Sequence, residues 1–160
     1  MPILHIQLGA EGKTPDGKTI QFPPAVGLQQ RGPVIQVTVT IEQNAGKGLL
    51  AQGKSLPTPK PGLALIDTGA TGTCIDEQAA QELGLPVIDV VKMTSATHAD
   101  QEAKVYPIQI SIPPSLVFNV PRAIGAALAP QGLLILIGRD LLSVCNLFYN
   151  GPLGQITLSM

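Results

Sequence analysis

Leu63-Ala64-Leu65-Ile66-Asp67-Thr68-Gly69-Ala70-Thr71 sets an acid and a run of turn formers directly behind four unbroken aliphatic residues. Four aliphatics with no polar alternation read as a short buried strand. An Asp at the mouth of such a strand is costly to bury unless it is paired or used. Asp, Thr and Gly also favour turns, so a purely structural turn is the other reading of these residues alone. A second stretch shifts the balance. Leu133-Leu134-Ile135-Leu136-Ile137-Gly138-Arg139-Asp140-Leu141-Leu142 is an aliphatic strand that ends in glycine and enters a short helix, expected over Arg139 to Val144.

Outward from these two segments the chain reads as all-β. Seventeen glycines and fifteen prolines leave few windows long enough for a helix and many the length of a strand. Val34 to Ile41 is the strongest strand, with Val37, Val39 and Ile41 alternating with Gln36, Thr38 and Thr40. Glu77 to Leu83, behind an Asp76 cap and before Gly84 and Pro86, is expected to make one or two helical turns. Val87 to Met93 and Val105 to Ile112 read as strands around a polar segment, Thr94 to Lys104, and Leu116 to Ile124 follows as another. Asn146 to Tyr149, an Asn150-Gly151 turn and Gln155 to Leu158 form a terminal hairpin. Leu4 to Leu8 is expected to pair with Thr19 to Phe22 across Pro15-Asp16-Gly17. Residues 43–61, rich in Gly, Lys, Gln and Pro, read as a long surface loop.

At 160 residues the chain fits one domain, residues 33–160, with 1–32 as an N-terminal extension of uncertain structure. Apolar residues make up 44% and charged residues 13%, so there is ample core and little solvated surface, which favours self-association. A net charge of −1 without a dense basic cluster argues against nucleic acid. No signal peptide or membrane-length apolar run is evident, and two cysteines, Cys74 and Cys145, fit reduced thiols in a cytoplasmic protein. Cys74 reads as a packed thiol because no histidine accompanies it. His5 and His98 lack the clustered partners a metal site needs, so no metal or other cofactor is expected. Gly48, Gly53, Lys54 and Ser55 match the phosphate-loop pattern, but prolines 57, 59 and 61 deny the helix that this loop must open.

Taken together, the Asp-Thr-Gly-Ala turn and the later Ile137-Gly138-Arg139-Asp140-Leu141-Leu142 resemble the retropepsin-like aspartic proteases, and more their cellular and bacterial members than the viral ones. The resemblance, over Pro33 to Met160, implies a homodimeric aspartic endopeptidase in which Asp67 is the catalytic carboxylate and a peptide or protein is the substrate. It implies that Thr68 locks the two active-site loops across the dimer axis, that Gly69 admits substrate backbone, and that Ala70 adjoins the site. Gly138 is expected in the loop crossed by the active-site turn, after Ile137, with Arg139 and Asp140 opening the helix. A flap is expected from Thr94, Ser95, Ala96, Thr97, His98, Ala99 and Asp100.

Two departures stand beside the resemblance. Thr71 and Gly72 occupy places where viral members carry acids, so Arg139 needs another partner, with Asp76 or Asp140 as candidates. The flap segment has no glycine. A non-catalytic peptide-binding or assembly module with the same fold is therefore the alternative reading.

Overall fold

The computed structural model describes residues 2–93 and 101–160. In chain order the elements are β1 (Ile3–Gln7), β2 (Ala10–Lys13), β3 (Thr19–Phe22), α1 (Pro24–Arg31), β4 (Val34–Ile41), α2 (Gln43–Ala51), β5 (Lys60–Ile66) and β6 (Cys74–Asp76). There follow α3 (Glu77–Glu82), β7 (Asp89–Met93), β8 (Gln101–Ile112), β9 (Leu116–Ala126), a 3-10 turn (Ala129–Gln131), β10 (Ile135–Ile137), α4 (Arg139–Leu142), β11 (Asn146–Asn150) and β12 (Gln155–Ser159). The fold is mostly β, as its composition and strand spacing predict.

The main sheet runs β4-β5-β10-β6-β9-β8-β7, and a further β4–β8 pairing closes its first six strands into a barrel. β8 serves both ends. Its first residues pair with β7 from Gln101 to Val105, and its later ones meet β4 from Ile108 to Ser111. Closure pairs the edges that these six strands would otherwise expose, leaving β7 outside the barrel. On β4 the alternation is realised: Ile35, Val37, Val39 and Ile41 are buried while Gln36 is exposed. They meet Ile108, Ile110 and Ile112 of β8, Phe118 and Val120 of β9, and Ile135 and Ile137 of β10 in one core.

The N-terminal pairings differ from expectation. β1 pairs with β12, Leu4 opposite Leu158 and Ile6 opposite Ile156, in a second sheet ordered β1-β12-β11. Thr19 to Phe22 pairs instead with Ala10 to Lys13. The turn is where the sequence puts it, with Thr14 accepting from Gly17 N–H. A tight turn joins the residues that flank it, so the hairpin closes on 10–13 and leaves Leu4 free for the apolar face of β12. α1 was not foreseen. Pro24 occupies its first turn, where proline costs no hydrogen bond, and Leu28 is 1% exposed. Gly154, at φ +60°, lies so close to this helix that a Cβ would fall 2.0 Å from the Pro24 carbonyl carbon.

The expected surface loop at 43–61 is corrected in part, because α2 occupies its first half and β5 begins at Lys60. Gly46 and Gly48 lower helix propensity and disguise the segment. Glu42 compensates, its carboxylate accepting from Asn44 N at 2.8 Å and Ala45 N at 3.0 Å. The phosphate-loop pattern is set in the wrong order, since Gly48 lies within α2 and a strand follows Ser55. The two expected helices are present as α3 and α4. No helix among the described residues is long and apolar enough to cross a membrane.

Candidate active site

β5 delivers Asp67 to the end of the barrel. Alternation buries Ala64 and Ile66 in the core and turns Leu63, Leu65 and Asp67 to the other face. β10 runs parallel to β5, with Ile137 beside Ile66, and Asp67 N–H donates to Ile137 O at 2.9 Å. The Asp67 carboxylate is half-buried and accepts from Gly69 N–H at 2.8 Å through Oδ1. Ala70 N–H donates to Asp67 O at 3.2 Å and closes the turn. Thr68 and Gly69 are exposed and Ala70 is half-buried.

Gly138 is buried where the β10–α4 connection crosses the return leg of this turn. A Cβ there would lie 2.5 Å from the Gly72 carbonyl carbon and oxygen, so only glycine allows the crossing. Among the described residues Arg139 forms no ion pair with either candidate partner. Its guanidinium donates to Thr68 O at 3.1 Å, Gly69 O at 3.2 Å and Thr71 Oγ1 at 3.0 Å. Both acids are already committed. Asp140 accepts from Thr73 N at 3.0 Å and Thr73 Oγ1 at 2.8 Å, and Asp76 caps α3 while holding Leu128 N and Ala129 N. Thr73, which the sequence reading passed over, is fully buried and also accepts from Gly138 N–H at 3.2 Å.

The face of β5 that carries Asp67 continues into an open depression of about 440 Å³, lined by Arg31, Val34, Leu63, Leu65, Gln131 and Leu133. Cys74 begins β6 nearby as a free thiol. Burial pushes its pKa up to about 11, and the charges of Asp140 and Asp67 add to the effect. The flap residues Thr94, Ser95, Ala96, Thr97, His98, Ala99 and Asp100 lie outside the described residues. His5 is exposed, with Nδ1 2.7 Å from Thr157 Oγ1. Among the described residues no group of three His, Cys, Asp or Glu side chains is placed to hold a metal ion.

A second cluster sits where β8 leaves the barrel toward β7. Glu77 Oε1 accepts from Lys104 Nζ at 2.9 Å, Tyr106 OH at 2.9 Å and Gln81 Nε2 at 2.8 Å. Gly125 makes room for it, since a Cβ there would lie 2.0 Å from Glu77 Oε2. Burial raises the Glu77 pKa, but the hydrogen bonds from Lys104, Gln81 and Tyr106 outweigh it and hold the group below its ordinary value. The Tyr106 hydroxyl is pushed up to about 12, first by burial and then by this carboxylate. Sequence signalled Glu77 only as a helix former, because Lys104 and Tyr106 reach it from a remote strand, β8.

Among solved structures the chain is similar to a retropepsin-like aspartic protease from Rickettsia conorii, at 14% identity over 98% of this chain and 91% of that one, with a TM-score of 0.47. It is also similar to the retroviral protease-like domain of Ddi1 from Leishmania major, at 13% identity over 73% and 81% of the two chains, with a TM-score of 0.39. No curated protein matches it. Residues 37–141, which run from β4 through the Asp67 turn to Leu141 of α4, match the family model for aspartyl proteases. The chain belongs to the aspartyl protease family.

Proposed function

We propose that the protein is a homodimeric aspartic endopeptidase acting on extended peptides, with Asp67 of two copies forming the catalytic pair. The observation that carries this reading is the Asp67 carboxylate itself: half-exposed at the end of a buried strand, held on one oxygen by Gly69 N–H, and present on one Asp-Thr-Gly turn per chain. Peptide hydrolysis of this kind needs two carboxylates sharing a proton around one water. One carboxylate takes a proton from the water as it attacks the carbonyl carbon, and the other gives its proton to the carbonyl oxygen. A single Asp67 does not fill both roles, so a two-fold axis supplies the second.

The second sheet supports self-association. β12 is covered on both sides, which leaves β11 as an outer edge one short link after α4. Phe148 and Tyr149 on this strand are 63% and 50% exposed. An unpaired, apolar edge strand invites pairing with a second copy. Substrate would run along the depression beside Leu63 and Leu65, an apolar floor for its side chains.

Incubating the protein with a mixed peptide pool, with Asp67→Asn in parallel, tests this directly. Cleavage by the wild type that weakens on dilution and falls by about 100-fold or more in a folded, dimeric Asp67→Asn is the expected result. Equal cleavage by both would end the assignment. Binding of peptides without cleavage would favour the non-catalytic module.

A further inference from the structure

Every carbonyl from Thr68 to Thr71 accepts a hydrogen bond from the first two residues of α4. One nitrogen of the Arg139 guanidinium donates to Thr68 O at 3.1 Å and Gly69 O at 3.2 Å. Arg139 N–H donates to Ala70 O at 2.9 Å, and Asp140 N–H to Thr71 O at 3.2 Å. A trans peptide is planar, so its C=O and N–H point to opposite sides. Holding the Thr68 carbonyl toward α4 therefore aims the N–H of the same plane, that of Gly69, away from α4, where it donates to Asp67 Oδ1 at 2.8 Å. The next plane is fixed in the same way, with Gly69 O held by Arg139 and Ala70 N–H donating to Asp67 O at 3.2 Å.

We propose that Arg139 is a positioning residue: by holding two successive carbonyls of the turn, it sets the peptide plane whose N–H orients the Asp67 carboxylate. The proposal rests on the reading of Asp67 as the catalytic acid. Backbone bonds hold Ala70 O and Thr71 O, but side-chain packing does little for the tip of the turn, since Thr68 and Gly69 are exposed and Gly69 and Ala70 have almost no side chain to pack. Among the described residues Arg139 forms no ion pair, so its guanidinium is spent on carbonyls and on Thr71 Oγ1. The planar fork suits this task, because one nitrogen spans two carbonyls while the other reaches a hydroxyl. A lysine ammonium, a point charge on a flexible stem, does not reproduce that geometry.

The test compares the full chain with Arg139→Lys and Arg139→Ala by two readouts. The first needs no turnover. The Gly69 amide signal in a ¹H–¹⁵N spectrum is followed across pH, its carboxylate-dependent part identified by its loss in Asp67→Asn. In Arg139→Lys that part is expected to shrink, and exchange of the Gly69 amide to quicken by about tenfold or more, as for a freed loop amide. Amides of the barrel core at Ile108 and Ile110 keep their rates. The second readout is kinetic. kcat is expected to fall about 100-fold with KM little changed, the signature of a misplaced catalytic group. Millimolar guanidinium ion restores part of kcat in Arg139→Ala, and ammonium does not.

An unchanged Gly69 signal in Arg139→Lys overturns the proposal, as does exchange that quickens equally throughout the barrel. If the wild type cleaves no peptide while Gly69 responds as described, the functional reading falls and the positioning role stands. If the wild type cleaves and Arg139→Lys matches it in both readouts, only the positioning role falls.

Discussion

Ile66-Asp67 and Ile75-Asp76 are the same dipeptide nine positions apart, each at the end of a buried strand, and the fold uses the two carboxylates in opposite ways. Asp76 is 6% exposed and takes three backbone N–H groups: Ala79 on Oδ2 at 3.0 Å, with Leu128 and Ala129 on Oδ1 at 3.0 and 2.8 Å. Asp67 is half-exposed and takes one, from Gly69. A carboxylate has roughly four acceptor sites. Those of Asp76 are largely consumed in joining α3 to the Leu128 turn, whereas most of those of Asp67 are left for water, substrate or a second carboxylate. The difference between a structural and a chemical acid here is the number of N–H groups the backbone aims at it.

One substitution made at both places gives the largest effects. Asp67→Asn should reduce cleavage by about 10²–10⁴-fold, the usual size of a lost proton-transfer group. Its melting temperature should be little changed, because the amide oxygen can still accept from Gly69. Asp76→Asn turns an NH₂ group against backbone donors in a buried place and should cost about 2–3 kcal/mol. Cleavage per folded molecule should survive there. Thermal melts paired with peptide assays check both, and equal melting shifts in the two variants would break the distinction.

A third carboxylate is intermediate. The Glu77 side chain is 30% exposed and takes three side-chain donors rather than backbone ones. Its pKa in the folded protein is lowered from 4.5, so its stabilisation is complete above the unfolded value and is lost as pH falls through the folded one. Glu77→Gln should therefore weaken the fold at neutral pH, by about 1 kcal/mol once exposure is discounted, with the gap closing below about pH 4.5. Urea midpoints across pH measure it. A gap that widens in acid would show that Lys104 and Tyr106 do not hold this group in solution.

What could be read beforehand follows the same division between local and remote partners. The Asp67 turn, β4, the Leu63–Ile66 end of β5, the passage from strand through Gly138 into α4, and α3 with its Asp76 cap are written in adjacent residues, through aliphatic runs, alternation and capping, although β5 starts earlier than expected, at Lys60. The partners of Arg139 were not legible, because they are two carbonyls and the Thr71 hydroxyl rather than an acid. The pairing of β1 with β12 was hidden by distance, since Leu4 is satisfied by Leu158. α2 was hidden by its glycines and by an uncommon Glu cap, and the Glu77 cluster by partners some 27 to 29 positions away.

The smallest effect offers a way to sense the charge on Asp67 without any substrate. Cys74 is held near pKa 11 mainly by burial, with the carboxylates of Asp140 and Asp67 adding a smaller push in the same direction. Only the thiolate is alkylated, so at pH 8 the reaction with iodoacetamide should be at least about 100-fold slower than for a free cysteine of pKa near 8.5. Its rate should rise with pH toward 11 for as long as the fold persists. Asp67→Asn removes one negative neighbour, which favours the thiolate, so Cys74 should react faster by a small factor, about twofold for a partly screened charge. Added salt should shrink that difference. Cys145, which is raised by burial alone, should not respond. Mass spectrometry of the two cysteine peptides in one reaction makes Cys145 the internal reference. Parallel acceleration of both would mean that Asp67→Asn had opened the barrel, and the contrast with Asp76, where the same change is expected to loosen the fold, would be lost.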